Sequence, residues 1–188
     1  DGAVIRQETW DADVLDGPWW SWAASGMPRE AGAYGGGART GIWTEWYAHG
    51  MRLREGTYEA DERDGAWTEW WSDGITREES TWAGGVLHGT YTRNFSDGKR
   101  AIEGAYADDR EEGIWTSYWP NGQVWAEGEY DLGWRQGMWR WWEEDGQPDM
   151  EGAYVDQNPV GEWAVYLTDD VLGVLIRFAG PYDGGVRQ

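Results

Sequence analysis

Glycine and aromatic residues recur along the chain in a fixed phase, with charged and small polar residues between them. Gly17, Gly41, Gly65, Gly89, Gly113, Gly137 and Gly161 follow one another every 24 residues, without insertion or deletion. Counting columns from each of these glycines, column three holds Trp19, Trp43, Trp67, Tyr91, Trp115, Trp139 and Trp163. Column six holds Trp22, Trp46, Trp70, Asn94, Tyr118, Trp142 and Tyr166, and column eighteen holds Tyr34, Tyr58, Trp82, Tyr106, Tyr130, Tyr154 and Phe178. Column fifteen is Glu55, Glu79, Glu103, Glu127 and Glu151 in the five central units. No window has a 3.6-residue period, and glycine recurs too often for helix.

Each unit reads as a β-hairpin. Columns two to eight form one strand, rich in Trp and Thr, and columns eleven to eighteen return as the second. The turn between them ends in pairs such as His49-Gly50, Asp73-Gly74, Asn121-Gly122 and Asp145-Gly146. Asn-Gly and Asp-Gly are strong hairpin signals because a tight turn needs positive φ. A six-residue linker then leads to the next glycine. The expectation is an all-β fold: an elongated solenoid of stacked antiparallel β-hairpins in a single twisted sheet. About fourteen strands at roughly 4.8 Å spacing would give a ribbon of about 70 Å, each ring packing on its equivalent one repeat away. The chain is expected to be one repeat domain over 1–188: an amino-terminal half-repeat (1–16), six regular repeats (17–160) and a divergent repeat with a cap (161–188).

The run Gly41-Ile42-Trp43-Thr44-Glu45-Trp46-Tyr47-Ala48-His49-Gly50, followed by Glu55-Gly56-Thr57-Tyr58, resembles a MORN repeat. More narrowly it is similar to the bacterial MORN-repeat variant, and Gly113 to Tyr130 matches that pattern through Asn121-Gly122 and Glu127-Gly128. The ends depart from it: Ala31 stands where the first unit would have Glu, and Asp170, Leu175 and Ile176 replace Gly, Glu and Gly in the last. The resemblance implies a β-hairpin solenoid used for protein association, scaffolding or, in some members, membrane proximity. Bacterial variant members often carry an antitoxin-like label.

Charge narrows the partners. The 188 residues carry 15 Lys and Arg against 35 Asp and Glu, a net charge of −20. Phosphate backbones and anionic lipid surfaces need clustered cations, so nucleic acid and direct lipid adsorption are disfavoured. The mean hydropathy of −0.79 would suit disorder. The 18 Trp, 10 Tyr and 2 Phe oppose that, since each ring buries on the order of 150–250 Å². There is no cysteine, and no apolar run approaches the roughly 20 residues of a transmembrane helix. A chain starting at Asp1 fits a processed or trimmed protein, and a bacterial secreted, periplasmic or surface setting is favoured over the cytoplasm.

No catalytic constellation is visible, so the chain reads as non-enzymatic, with no cofactor and no metal. His49 and His88 fall in different columns and pair with no repeated Ser or Asp. The acidic pairs Asp11/Asp13, Asp108/Asp109 and Asp169/Asp170 read as solvated loops, because Ca²⁺ wants six to eight shaped oxygen ligands. The column-fifteen glutamates read as acceptors for turn amides or an Arg.

Candidate binding residues come from rings outside that pattern. Column seven adds Tyr47, Trp71, Phe95 and Trp119 in four consecutive repeats. Adjacent strand positions face opposite sides, so columns six and seven should supply one buried and one less buried stripe. Trp20, Trp125, Trp134, Trp141 and Tyr182 lie off the ladder. The run 171–178 is the only aliphatic one, and Leu172, Val174 and Ile176 make it a candidate docking or self-association strand. These readings point to a protein-binding or scaffold module, or to a subunit of a larger assembly. Its expected partner is a protein with a basic or mixed apolar–basic surface, and head-to-tail self-association is a further expectation. The alternatives are a carbohydrate-binding protein using the aromatic stripe and an antitoxin-like binding protein.

Overall fold

The computed structural model describes residues 5–169, 173–183 and 186–187, with side chains as far as Leu167. Its backbone falls into two compact units, Asp1–Gly98 and Lys99–Gln188. The boundary lies inside the repeat that starts at Gly89.

The first unit contains strands β1 (Ile5–Gln7), β2 (Trp10–Asp11), β3 (Val14–Leu15), β4 (Gly17–Trp22), β5 (Pro28–Gly35), β6 (Ala38–Trp46), β7 (Arg52–Glu59), β8 (Glu62–Trp70), β9 (Thr76–Ala83) and β10 (Val86–Asn94). They form an antiparallel sheet in the order β1-β4-β5-β6-β7-β8-β9-β10, and β2 and β3 pair separately. The second unit contains β11 (Arg100–Ala107), β12 (Arg110–Tyr118), β13 (Val124–Asp131), β14 (Trp134–Trp142), β15 (Pro148–Val155), β16 (Asn158–Asp169), β17 (Gly173–Asp183) and β18 (Val186–Arg187), again paired in chain order. Both units are therefore all-β stacks of antiparallel hairpins.

Two kinds of turn alternate. At the first, Gly50 N–H donates to the Tyr47 carbonyl (2.9 Å) and Tyr47 N–H to the Met51 carbonyl (2.8 Å). This three-residue loop needs a left-handed residue at its end, and Gly50 supplies it with φ of 94°. The residue before each such glycine is not left-handed. Instead its side chain caps the turn, as Asp73 Oδ1 does for Ile75 N–H (3.1 Å) and Asn121 Oδ1 for Gln123 N–H (2.9 Å).

The second turn lies inside the six-residue linker, which is not a loop. The strand runs to Glu59, Ala60 and Asp61 turn with φ of 50° and 70°, and β8 starts at Glu62. Positive φ at both central residues marks a two-residue turn of the mirror-image type I, whose twist matches the flanking strands. Asp108 and Asp109 form the same turn. The strand that follows holds two extra residues at the column-one glycine: Ala31 pairs Thr44, then Ala33 pairs Thr40. This bulge accommodates the left-handed glycine and re-aims column three.

The core is one face of each sheet. Column-three and column-eighteen rings alternate there edge to face: Trp43 to Tyr58 (6.1 Å, 87°), then Tyr58 to Trp67 (4.9 Å, 81°). The expectation that each ring packs on its equivalent one repeat away holds for Trp19 and Trp43 (5.4 Å, 31°), whereas a near-perpendicular tyrosine separates Trp43 from Trp67. Four column-three indoles also donate to a column-seventeen carbonyl of the preceding repeat: Trp43 Nε1 to Ala33 O (3.1 Å), Trp67 Nε1 to Thr57 O (3.0 Å), Trp115 Nε1 to Ala105 O (3.1 Å) and Trp139 Nε1 to Glu129 O (3.1 Å). These four large apolar rings are thus buried with their one polar atom satisfied. Column six does not join this ladder. Tyr118 and Tyr166 reach the column-fifteen carboxylates, and Trp22 and Trp46 stack on column-four Trp20, all on the other face. Trp10 also stays out of the ladder, exposed in the small β2–β3 hairpin.

Candidate binding site

Three arginines occupy column twenty-three: Arg39, Arg63 and Arg135. Each lies just after a two-residue turn, beside the core rings. The Arg39 guanidinium carbon sits 3.9 Å from the Tyr58 ring centre. Arg63 lies between two indoles, 4.4 Å from Trp67 and 4.8 Å from Trp82. Arg135 lies 4.8 Å from Trp139 and 5.4 Å from Tyr154. A guanidinium can shield a ring face while its edges stay hydrated, which is how this open sheet covers its aromatics.

Arg39 is held by the next turn. Its backbone N–H and Nε both donate to Asp61 Oδ1, at 3.0 and 2.9 Å. Partial burial works against the Arg39 charge, but Asp61 and Tyr58 more than offset it, and its pKa is raised. The same side-chain hydrogen bond holds the Asp61 carboxyl below its ordinary value. This pair lines an open concavity of about 470 Å³, together with Tyr58, Glu62, Arg63, Trp82 and the Gly84-Gly85 turn.

The opposite face carries a polar ladder. Glu55 accepts from the Thr44 hydroxyl (2.9 Å), Glu127 from Thr116 (3.4 Å), and Arg100 pairs with Glu103 (3.2 Å). Tyr118 donates to Glu103 and Tyr166 to Glu151 (2.8 Å). The column-fifteen glutamates therefore accept from threonine and tyrosine hydroxyls and from arginines, rather than from turn amides. Burial and then the Glu103 carboxylate push the Tyr118 phenol up to about 12. Glu151, with a smaller desolvation effect, raises Tyr166.

The first repeat breaks the ladder. Trp20 replaces the threonine and faces Ala31, which replaces the glutamate. The Trp20 ring stacks on Trp22 (5.8 Å, 11°) and on Trp46 (6.1 Å, 18°). These three near-parallel indoles form a platform, with Trp20 37% exposed and Ile42, exposed on its own strand, in the next repeat.

The column-seven residues take a different place from the one their position suggests. Strands end at column six, and a register shift between Glu45 and Trp46 precedes the turn, so columns six and seven do not alternate across one strand. Tyr47, Trp71, Phe95 and Trp119 open the three-residue loops and are half-buried. Tyr47 donates to the Trp70 carbonyl (2.8 Å) and Trp119 Nε1 to the Trp142 carbonyl (2.9 Å), each one repeat onward. His49 Nε2 lies 2.7 Å from the Ser72 carbonyl along the same edge. Trp141 is half-buried between Trp139 (5.8 Å) and Trp163 (5.9 Å). Trp125 and Trp134 remain exposed, at 45% and 54%. Val174 and Ile176 lie in β17, opposite Thr168 and Tyr166, while Leu172 and Asp170 lie outside the described residues. Among the described residues, no three acidic or histidine side chains are grouped to hold a metal ion, and no helix is long and apolar enough to cross a membrane.

Residues 39–60 and 111–132 each match the family model of the MORN repeat variant. These two segments are MORN-type repeats. Each matched MORN segment begins two or three residues after one two-residue turn and ends in the next, so it spans one strand, its three-residue loop and the return strand. The first MORN match includes Arg39, Trp43 and Tyr58, the residues that build one rung of the aromatic face. No curated protein matches the chain.

Proposed function

We propose that the chain is a non-enzymatic protein-binding module of the MORN type, serving as a scaffold or as a subunit of a larger assembly. The observation that carries this reading is the Trp22–Trp20–Trp46 stack on the face opposite the core. Tryptophan dominates protein interfaces because a rigid ring buries a large area at little entropic cost. Here a Trp–Ala pair takes the place of a Thr–Glu pair, which exchanges a satisfied polar rung for an apolar one. The surrounding charge of −20 favours a partner that sets basic groups around an apolar contact.

The test is capture from the native source on immobilised protein, followed by mass spectrometry and repeated with Trp20→Ala. The expected result is a stoichiometric protein retained by the natural chain and weakened at least tenfold by the variant, on the order of the interface hot-spot effect. Recovery of the chain alone, or equal capture by the variant, would overturn the reading. An inhibitory, antitoxin-like role is the narrower form of the same proposal, and it requires that the captured partner lose an activity on binding.

A second reading rests on the same platform. The Trp20 plane lies within 18° of those of Trp22 and Trp46, and near-parallel indoles of this kind suit stacking on sugar rings. A glycan panel read by tryptophan fluorescence separates the two, since sugar binding would be lost in Trp20→Ala without any protein partner.

A further inference from the structure

The three column-twenty-three arginines provide an internal comparison. Arg39 has Asp61 as its acceptor: the side-chain carboxylate at 2.9 Å and the backbone carbonyl at 3.4 Å. Arg135 has Tyr154, whose hydroxyl accepts from Nη1 at 3.2 Å, and Gln157, whose Oε1 accepts its backbone N–H at 2.9 Å. At the equivalent places around Arg63 the sequence has Trp82 for the tyrosine and Gly85 for the Asp or Gln. Both changes delete an oxygen. The aromatic stacking is retained, on Trp67 and Trp82. Among the described residues the Arg63 side chain makes no ion pair and no hydrogen bond.

The missing groups leave space. The concavity bounded by Arg39, Tyr58, Arg63, Trp82 and Gly84-Gly85 lies where a column-twenty-one carboxylate would reach Arg63. Its far wall is bare backbone, which lets another main chain approach closely. Two indole rings lie 4.4 and 4.8 Å from the guanidinium carbon, and among the described residues no acceptor takes its side-chain donors. That geometry suits a planar, two-oxygen acceptor. Asp61 and Glu62 also line the concavity, and Glu62 packs against Gly84 and Gly85. Their charge disfavours a dianion such as phosphate and tolerates a single negative charge set against a cation.

The geometry points to Arg63 as the receptor for an Asp or Glu carboxylate presented by a partner polypeptide, bound in the position that Asp61 fills for Arg39. The carboxylate site stands on the repeat comparison alone. Its polypeptide source rests on the protein-binding reading.

The test uses the whole chain and a blocked pentapeptide of glycines with a central glutamate, against its glutamine counterpart and sodium acetate. The readout is the Arg63 Nε–Hε resonance, assigned with Arg63→Gln. The glutamate peptide is expected to shift this resonance, and the glutamine peptide is not. Gly85→Asp restores the internal carboxylate and is expected to weaken the response about tenfold or more, the worth of a charge-assisted hydrogen bond. Asp61 already occupies the equivalent left-handed position, so the turn accepts that residue. Arg63→Gln, at a half-buried site, gives a second test through tryptophan fluorescence, where the peptide response should vanish. No shift with the glutamate peptide, equal shifts with both peptides, or an undiminished response in Gly85→Asp would overturn the site. A response to acetate equal to that of the glutamate peptide would overturn the polypeptide source. The protein-binding reading fails separately, in the Trp20→Ala capture.

Discussion

The indole of Trp67 lies so close over Gly56 that a β-carbon on that glycine would stand 2.2 Å from Trp67 Cδ2. The two residues are directly opposite in β7 and β8. The same relation recurs at Gly32 under Trp43, Gly104 under Trp115, Gly128 under Trp139 and Gly152 under Trp163. Ser80 is the exception, and the column-three ring of the next repeat that pairs with it is Tyr91 rather than tryptophan. Column sixteen and column three of the next repeat therefore form one packing unit: a bare α-carbon with a full indole, or a small side chain with a smaller ring.

This unit predicts a coupled pair of substitutions. Gly56→Ser forces an atom into the Trp67 ring, and overpacking of this kind costs about 1–3 kcal/mol. Trp67→Tyr alone leaves a cavity. The double variant reproduces the Ser80–Tyr91 pair and should recover part of the sum. Urea denaturation of the four proteins measures the coupling, and strictly additive losses would refute the unit.

Burial separates two tryptophans of the first unit. Trp67 is 2% exposed at the centre of the ladder, so Trp67→Ala should cost about 3–5 kcal/mol. Trp20 sits on the outer platform, and Trp20→Ala should cost well under half of that while removing partner binding. Comparison of denaturation midpoints with capture efficiency checks both halves.

A turn residue offers a gain in stability. Leu132 has φ of 50° in the two-residue turn it shares with Gly133, a conformation that costs an ordinary side chain roughly 1–2 kcal/mol. Leu132→Asn creates the Asn-Gly pair that this turn type favours. Its backbone N–H still donates to Glu112 (3.2 Å). The variant should raise the denaturation midpoint, with a gain of about 0.5–1 kcal/mol.

The phenol of Tyr118 gives an alkaline signature. Burial and the Glu103 carboxylate favour its neutral form, which places its pKa at about 12 against 10.0 for a free tyrosine. A raised value means that the stabilisation is complete below pH 10 and is lost as pH climbs through 10 towards 12. Tyrosinate absorbance should therefore show a late-titrating component, and Glu103→Gln should move it to lower pH. Tyr118→Phe should remove the component and flatten the alkaline loss of stability.

Part of the candidate site was legible beforehand. Asn121-Gly122 and Asp73-Gly74 located their turns, and the departure at Ala31 marked the repeat where the polar ladder breaks. Arg63 gave a weaker signal: its environment shows only when Trp82 and Gly85 are compared with the tyrosines and polar residues of their own columns. The place of the column-seven rings does not follow from strand alternation, because a register shift between Glu45 and Trp46 ends that alternation before Tyr47.

The sequence by itself determined the 24-residue phase, the hairpin units, the turn glycines and the MORN likeness, because turn chemistry and strand periodicity are local properties of the chain. The tertiary structure decided which rings share a face, that Tyr58 stands between Trp43 and Trp67, and that Arg63 has no oxygen partner among the described residues. Those outcomes depend on pairing register and on bulges between strands. They are fixed by steric fit across the sheet, where Trp67 meets Gly56 from another repeat, and no window of neighbouring residues contains that fit.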